Sequence, residues 1–229
     1  MKNKKTAVLI TALSLLACIL HALLLNVDLG PYAVTSALKV GLFAALPIAY
    51  ILIGKKGNAG QIKSLFFVKA ESKSIRLCLG LALMVFGVLM IAFVILSPFL
   101  EKEMIVEGLS QTGINGGNFP FVFAYIVLIN AATEELFFRG FVFLMLFKAG
   151  YKAYAFVYSS LLFSLYHVFI INDLMEMWIF AVLMAGLVCA GLIFNELTRR
   201  CNSIFGSLIV HISANLAINM IGVHYFYVV

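Results

Sequence analysis

Residues 119–147 read FPFVFAYIVLINAATEELFFRGFVFLMLF. The run exceeds the roughly 20 residues an α-helix needs to cross a bilayer. Near its middle it carries three charged side chains, Glu134, Glu135 and Arg139. Ionisable groups are expensive in hydrocarbon, so each needs a partner or a function. Spacing divides the three. Glu135 and Arg139 are four apart and share a helix face, with Glu in the favoured N-terminal position. Glu134 is rotated about 100° from Glu135 and escapes that pair. One span thus contains a structural ion pair and a spare carboxylate.

Six further apolar runs lie outward of this one, near 6–27, 32–53, 77–100, 153–171, 177–195 and 203–222. The 229 residues are 64% hydrophobic and 11% charged, against roughly 25% charged in a soluble domain, which excludes a soluble fold. The expected fold is an all-α polytopic membrane protein, a bundle of about seven transmembrane helices with six to eight allowed. Residues 1–229 read as a single membrane domain: three spans in 1–118, with a basic inner loop at 54–76, then a second part at 119–222. Leu15-Leu16-Ala17-Cys18 superficially resembles a lipoprotein cleavage site. The chain stays apolar to Val27, however, so a retained first helix is expected.

The net charge of +6 does not point to nucleic acid, because the basic residues sit in short loops between apolar runs. Lys2, Lys4, Lys5, Lys55, Lys56, Lys63, Lys69, Lys73, Arg76, Lys148, Lys152, Arg199 and Arg200 fall on one side. Only Lys102 falls on the other, with Asp28, Glu101, Glu103, Glu107, Asp173 and Glu176. The positive-inside bias predicts a cytoplasmic N-terminus and an outer C-terminus in a plasma membrane, bacterial in style. The 54–76 loop, with Leu65, Phe66 and Phe67 among its lysines, either lies along the inner surface or is solvated. Lys39, inside the second span, is expected to snorkel or pair locally. Cys18, Cys78, Cys189 and Cys201 lack metal or disulfide spacing and read as packing residues. Ala181, Ala185 and Cys189, with Gly186 and Ala190 beside them, read as a close-packing face.

Two more spans carry polar groups: Phe163-Ser-Leu-Tyr-His167, and His211-Ile-Ser-Ala-Asn215, whose His and Asn share a face. Counted from their basic flanks at 1.5 Å per residue, Glu134, His167 and His211 lie about 21, 22 and 16 Å deep. A lone intramembrane His or Asn is often a helix–helix hydrogen-bonding residue, and a lone Glu–Arg pair is often structural. Their coincidence at one depth predicts a single buried site. His21 and His224 lack such partners and read as packing or interfacial residues.

In this order, Glu-Glu-x-x-x-Arg (134–139), Phe-x-x-x-His (163–167) and His-x-x-x-Asn (211–215) resemble the CPBP intramembrane proteases, the CAAX protease and bacteriocin-processing or Abi family. The resemblance covers residues 120–222; the first three spans match in hydropathy alone. It implies that Glu134 is the general base that activates water and that His167 helps hold that water. It further implies that His211 and Asn215 stabilise the oxyanion, while Glu135, Arg139 and Phe163 support the site. The implied partners are the lipid bilayer and a peptide or membrane-protein substrate. Zinc stays open. No His-Glu-x-x-His is present, yet Glu134, His167 and His211 could supply three ligands. Glutamate catalysis without a tightly bound metal is the favoured reading. A non-catalytic immunity or signalling protein is the alternative. A transporter is weaker, since no internal repeat is present and Pro31, Pro47, Pro98 and Pro120 lie outside the motifs.

Overall fold

The computed structural model describes residues 2–27, 30–53, 72–171 and 176–228, and these are helical with short turns. Among the described residues eight helices follow in order. They are α1 (Lys4–Leu25), α2 (Tyr32–Ile53), α3 (Ser72–Leu96), α4 (Lys102–Gln111), α5 (Phe119–Lys148), α6 (Lys152–Ile171), α7 (Met177–Cys201) and α8 (Phe205–Val228). Among the described residues six of them, α1, α2, α3, α5, α7 and α8, are long and apolar enough to cross a membrane. With the 20-residue α6 this is the expected polytopic bundle. The short α4 was not foreseen; it is too short to cross. Asp28, Asp173 and most of the 54–76 loop lie outside the described residues.

Backbone groups have no water to bond in hydrocarbon, so each span closes its own hydrogen bonds as a helix. The ends are fixed by local chemistry. Asn3 caps α1, its side chain accepting from the Thr6 N–H at 3.1 Å. Gly150, at φ 90°, makes the turn from α5 into α6. The α7 helix runs past its apolar stretch because Glu196 meets Arg199 and Arg200 at 2.6 Å each, three and four residues on.

The central element is α5. Half of its apolar window is buried within the protein, against 6–33% for the other five spans. Helices α1, α2, α6, α7 and α8 pack around it, and α3 lies against α8. A cluster of rings fills the inner part: Phe43 stacks on Phe137 at 4.2 Å, and Phe138 meets Phe163 and Tyr166 edge-on or tilted. The winding of α5 also departs from a uniform α-helix. Tyr125–Asn130 and Glu135–Phe143 are π-helical, with one α turn, Ala131–Glu134, between them. π-Helix hydrogen bonds reach one residue farther than in an α-helix, and such segments recur at functional sites.

The close-packing face expected on α7 is a correction. Ala181, Ala185, Gly186 and Cys189 are exposed, while Ala190 of the same expected face is half-buried against the core. The tight contact instead uses Gly191, where an added Cβ would stand 2.9 Å from the Ser160 Cα. Asn195, one turn along, decides this. Its amide donates to the Phe156 carbonyl and Ser160 Oγ at 3.2 and 3.1 Å. A buried amide left facing lipid is costly, so it turns the helix and takes Gly191 with it. The other cysteines behave as expected: Cys78 and Cys201 are buried and Cys18 half-buried, all as free thiols.

Candidate active site

Glu134 sits on the α turn between the two π segments and is 1% exposed. Its two oxygens have different surroundings. Oε1 accepts from Lys39 Nζ at 2.7 Å, Asn130 Nδ2 at 3.0 Å and the Tyr166 hydroxyl at 3.2 Å. Oε2 accepts no hydrogen bond from the described residues. Instead His211 Nε2 stands 3.6 Å from it and His167 Nε2 4.0 Å. One oxygen is anchored and the other is presented.

Each imidazole is oriented by its far nitrogen. His167 Nδ1 lies 2.7 Å from the Phe163 carbonyl, one turn back on α6. His211 Nδ1 lies 2.9 Å from Glu135 Oε1. Both partners are acceptors, so both rings carry the proton on Nδ1 and turn Nε2 toward Glu134. Glu135 Oε1 also meets Arg139 Nη1 at 3.2 Å, both side chains being fully buried. The guanidinium lies over the Phe163 ring at 4.1 Å and the Phe194 ring at 4.8 Å. Phe163 therefore covers Arg139. Phe194 does the same and stacks on His211 at 5.3 Å.

Residues 116–217 match the family described as Type II CAAX prenyl endopeptidase Rce1-like. Over these residues the chain is similar to the CAAX protease family. No curated protein and no solved structure gives a significant match. The Rce1-like region spans α5 to most of α8 and contains every motif residue on which the resemblance rests. The family is a protease family, and the chain is a multi-pass membrane protein.

Geometry brings Glu134, Glu135, Arg139, Phe163, His167 and His211 together. Asn215 Nδ2 donates to the Ile126 carbonyl at 2.9 Å, in the first π segment. Two contributors come from outside the Rce1-like region. Lys39 of α2 neither snorkels nor pairs locally; it reaches Glu134, 95 positions away. His21 of α1 packs its ring 5.1 Å from Tyr166. Behind Tyr166 a groove of about 350 Å³, lined by Leu15, Ile19, Ala22, Leu162 and Leu165, opens between α1 and α6.

Zinc fits this arrangement poorly. A tetrahedral ion with arms of about 2.0–2.2 Å needs ligand atoms about 3.3–3.6 Å apart, and the His167–Glu134 separation of 4.0 Å is wider. Lys39 already places a positive charge on the same carboxylate.

Proposed function

We propose that this chain is an intramembrane endopeptidase in which Glu134 activates water. The observation that carries the reading is the asymmetric carboxylate. Three donors fix Oε1, and two imidazoles face Oε2. Water held at Oε2 and His167 Nε2 adds its oxygen to the scissile carbonyl carbon, and Glu134 takes its proton. The oxyanion forms beside His211 and the remaining N–H of Asn215. A donor aimed at a developing oxyanion is worth about 2.7–4 kcal/mol in a water-poor site. Glu135, at the other ring nitrogen, holds His211 Nε2 turned toward this position. The intermediate collapses as the C–N bond breaks, and Glu134 passes its proton to the leaving amine.

Similarity to the CAAX prenyl endopeptidases makes a farnesylated Cys-a-a-X peptide the first probe, and an unprenylated membrane-spanning peptide the second. The lipid-facing groove behind Tyr166 supports apolar substrates approaching from the bilayer. Purified protein in detergent should cleave at least one of the two. Cleavage should survive chelation and dialysis, with elemental analysis finding substoichiometric zinc. Stoichiometric zinc, with activity lost on removal and restored on addition, would falsify the metal-free mechanism.

The same reading places the N-terminus in the cytoplasm and the C-terminus outside a bacterial plasma membrane. In a cysteine-free background, Ile105→Cys should react with an impermeant maleimide in intact cells, and Asn58→Cys only after permeabilisation. The opposite pattern inverts the topology.

A further inference from the structure

Lys39 lies outside the Rce1-like region, yet it makes the shortest contact to the central carboxylate, 2.7 Å from Glu134 Oε1. An ammonium donates and cannot accept. Lys39 also donates to Asn130 Oδ1. Asn130 must therefore turn its oxygen to the lysine, which leaves its Nδ2 to donate to Glu134 Oε1. The lysine thus supplies one of the three donors on Oε1 and orients a second. All of them crowd one oxygen and leave Oε2 to the imidazoles.

Charge bears on the same point. The groups facing Glu134 are Lys39 from α2, Tyr166 and His167 from α6 and His211 from α8, with His21 of α1 behind Tyr166. On its own helix, Glu135 and Arg139 are engaged with each other. The Lys39 and Glu134 side chains are 10% and 2% exposed, so water screens the pair weakly. Without the ammonium, two carboxylates would share one guanidinium, and the least costly response is a proton on Glu134. A protonated Glu134 cannot accept the proton of water.

We infer that Lys39 is a positioning residue whose ammonium holds Glu134 ionised and turned so that Oε2 alone faces the two imidazoles. Its consequence for turnover rests on the protease reading; its consequence for the charge of Glu134 does not. A lysine that merely tied α2 to the bundle would influence stability and leave that charge unchanged.

The test is infrared spectroscopy of purified Lys39→Met, with Glu134→Gln made in both backgrounds to assign the band. At neutral pH the wild type should show no neutral-acid carbonyl stretch from Glu134, and Lys39→Met should show one. On whichever peptide the wild type cleaves, kcat should fall by about 10²-fold or more, the lower end of what a positioned base contributes, while KM changes little. Lys39→Arg should keep Glu134 ionised and retain part of the turnover. In a cysteine-free background, Lys39→Cys alkylated with 2-bromoethylamine regains an ammonium and should lose the band and recover activity.

An ionised Glu134 in Lys39→Met, or an unchanged kcat, overturns the assignment. If Lys39→Met does not accumulate, Lys39→Met/Glu134→Gln should, because the unpaired carboxylate is gone; failure of the double variant also overturns it. The infrared result needs no substrate. A wild type that cleaves neither peptide, with the band present in Lys39→Met, keeps the assignment of charge and removes the protease reading.

Discussion

Glu134→Gln should abolish cleavage and leave the protein folded. Glutamine keeps the shape of the side chain, and its oxygen can still accept from Lys39 and Tyr166 where Glu134 Oε1 does now. At the position of Oε2 it places an amide nitrogen, which cannot take a proton from water. A positioned general base contributes about 10²–10⁴-fold, and here the same oxygen also holds the nucleophile. The expected fall in kcat is therefore at or beyond about 10⁴-fold, with KM little changed, since the substituted atom meets water and not the bulk of the substrate. Quenched-peptide cleavage measures the loss, and size-exclusion chromatography with far-UV circular dichroism measures the fold. A Glu134→Gln protein that is well folded and cleaves at the wild-type rate removes Glu134 from the chemistry.

The parts of this site that could be read from the sequence are those where spacing carries the signal. The four-residue spacing of Glu135 and Arg139 predicted their pair, and the structure forms it at 3.2 Å even though α5 is wound as a π-helix there. Similar depth below the basic flanks predicted that Glu134, His167 and His211 would meet, and both imidazoles do face the carboxylate. The contact between Lys39 and Glu134 has no such period, because it joins helices far apart in the chain. A clue existed all the same. One cation and one carboxylate, each inside an apolar run and each without a local partner, are costly alone and cheap together. Phe194 and Tyr166 carried no comparable signal, since an aromatic ring in an apolar run looks the same whether it faces lipid or a guanidinium. The exposed stripe on α7 failed for a related reason. Small residues permit close packing but do not compel it, whereas buried Asn195 compels a protein neighbour.

Arg139→Ala should act on the fold where Glu134→Gln acts on the chemistry. The guanidinium is fully buried, and none of its nitrogens has a hydrogen bond of good geometry among the described residues. It is held by the Glu135 charge and by the faces of Phe163 and Phe194. Such a planar, weakly hydrated cation suits this slot better than a lysine ammonium would. Removing it leaves the Glu135 carboxylate buried against His211 Nδ1. Breaking one side of a buried pair costs about 3–5 kcal/mol, a large share of a stability of about 5–15 kcal/mol. Folded protein should therefore fall sharply, in yield and in the midpoint of a circular dichroism melt. Glu135→Gln/Arg139→Met removes both charges at similar volume, so it should accumulate better than Arg139→Ala. It should nevertheless turn over slowly, because His211 has lost the carboxylate that orients its ring. Equal loss of folded protein in Glu134→Gln and Arg139→Ala would sink the division of labour between the two adjacent acids. Loss in Arg139→Ala with recovery in the double variant would locate the cost in an uncompensated charge, and not in the cavity left by the side chain.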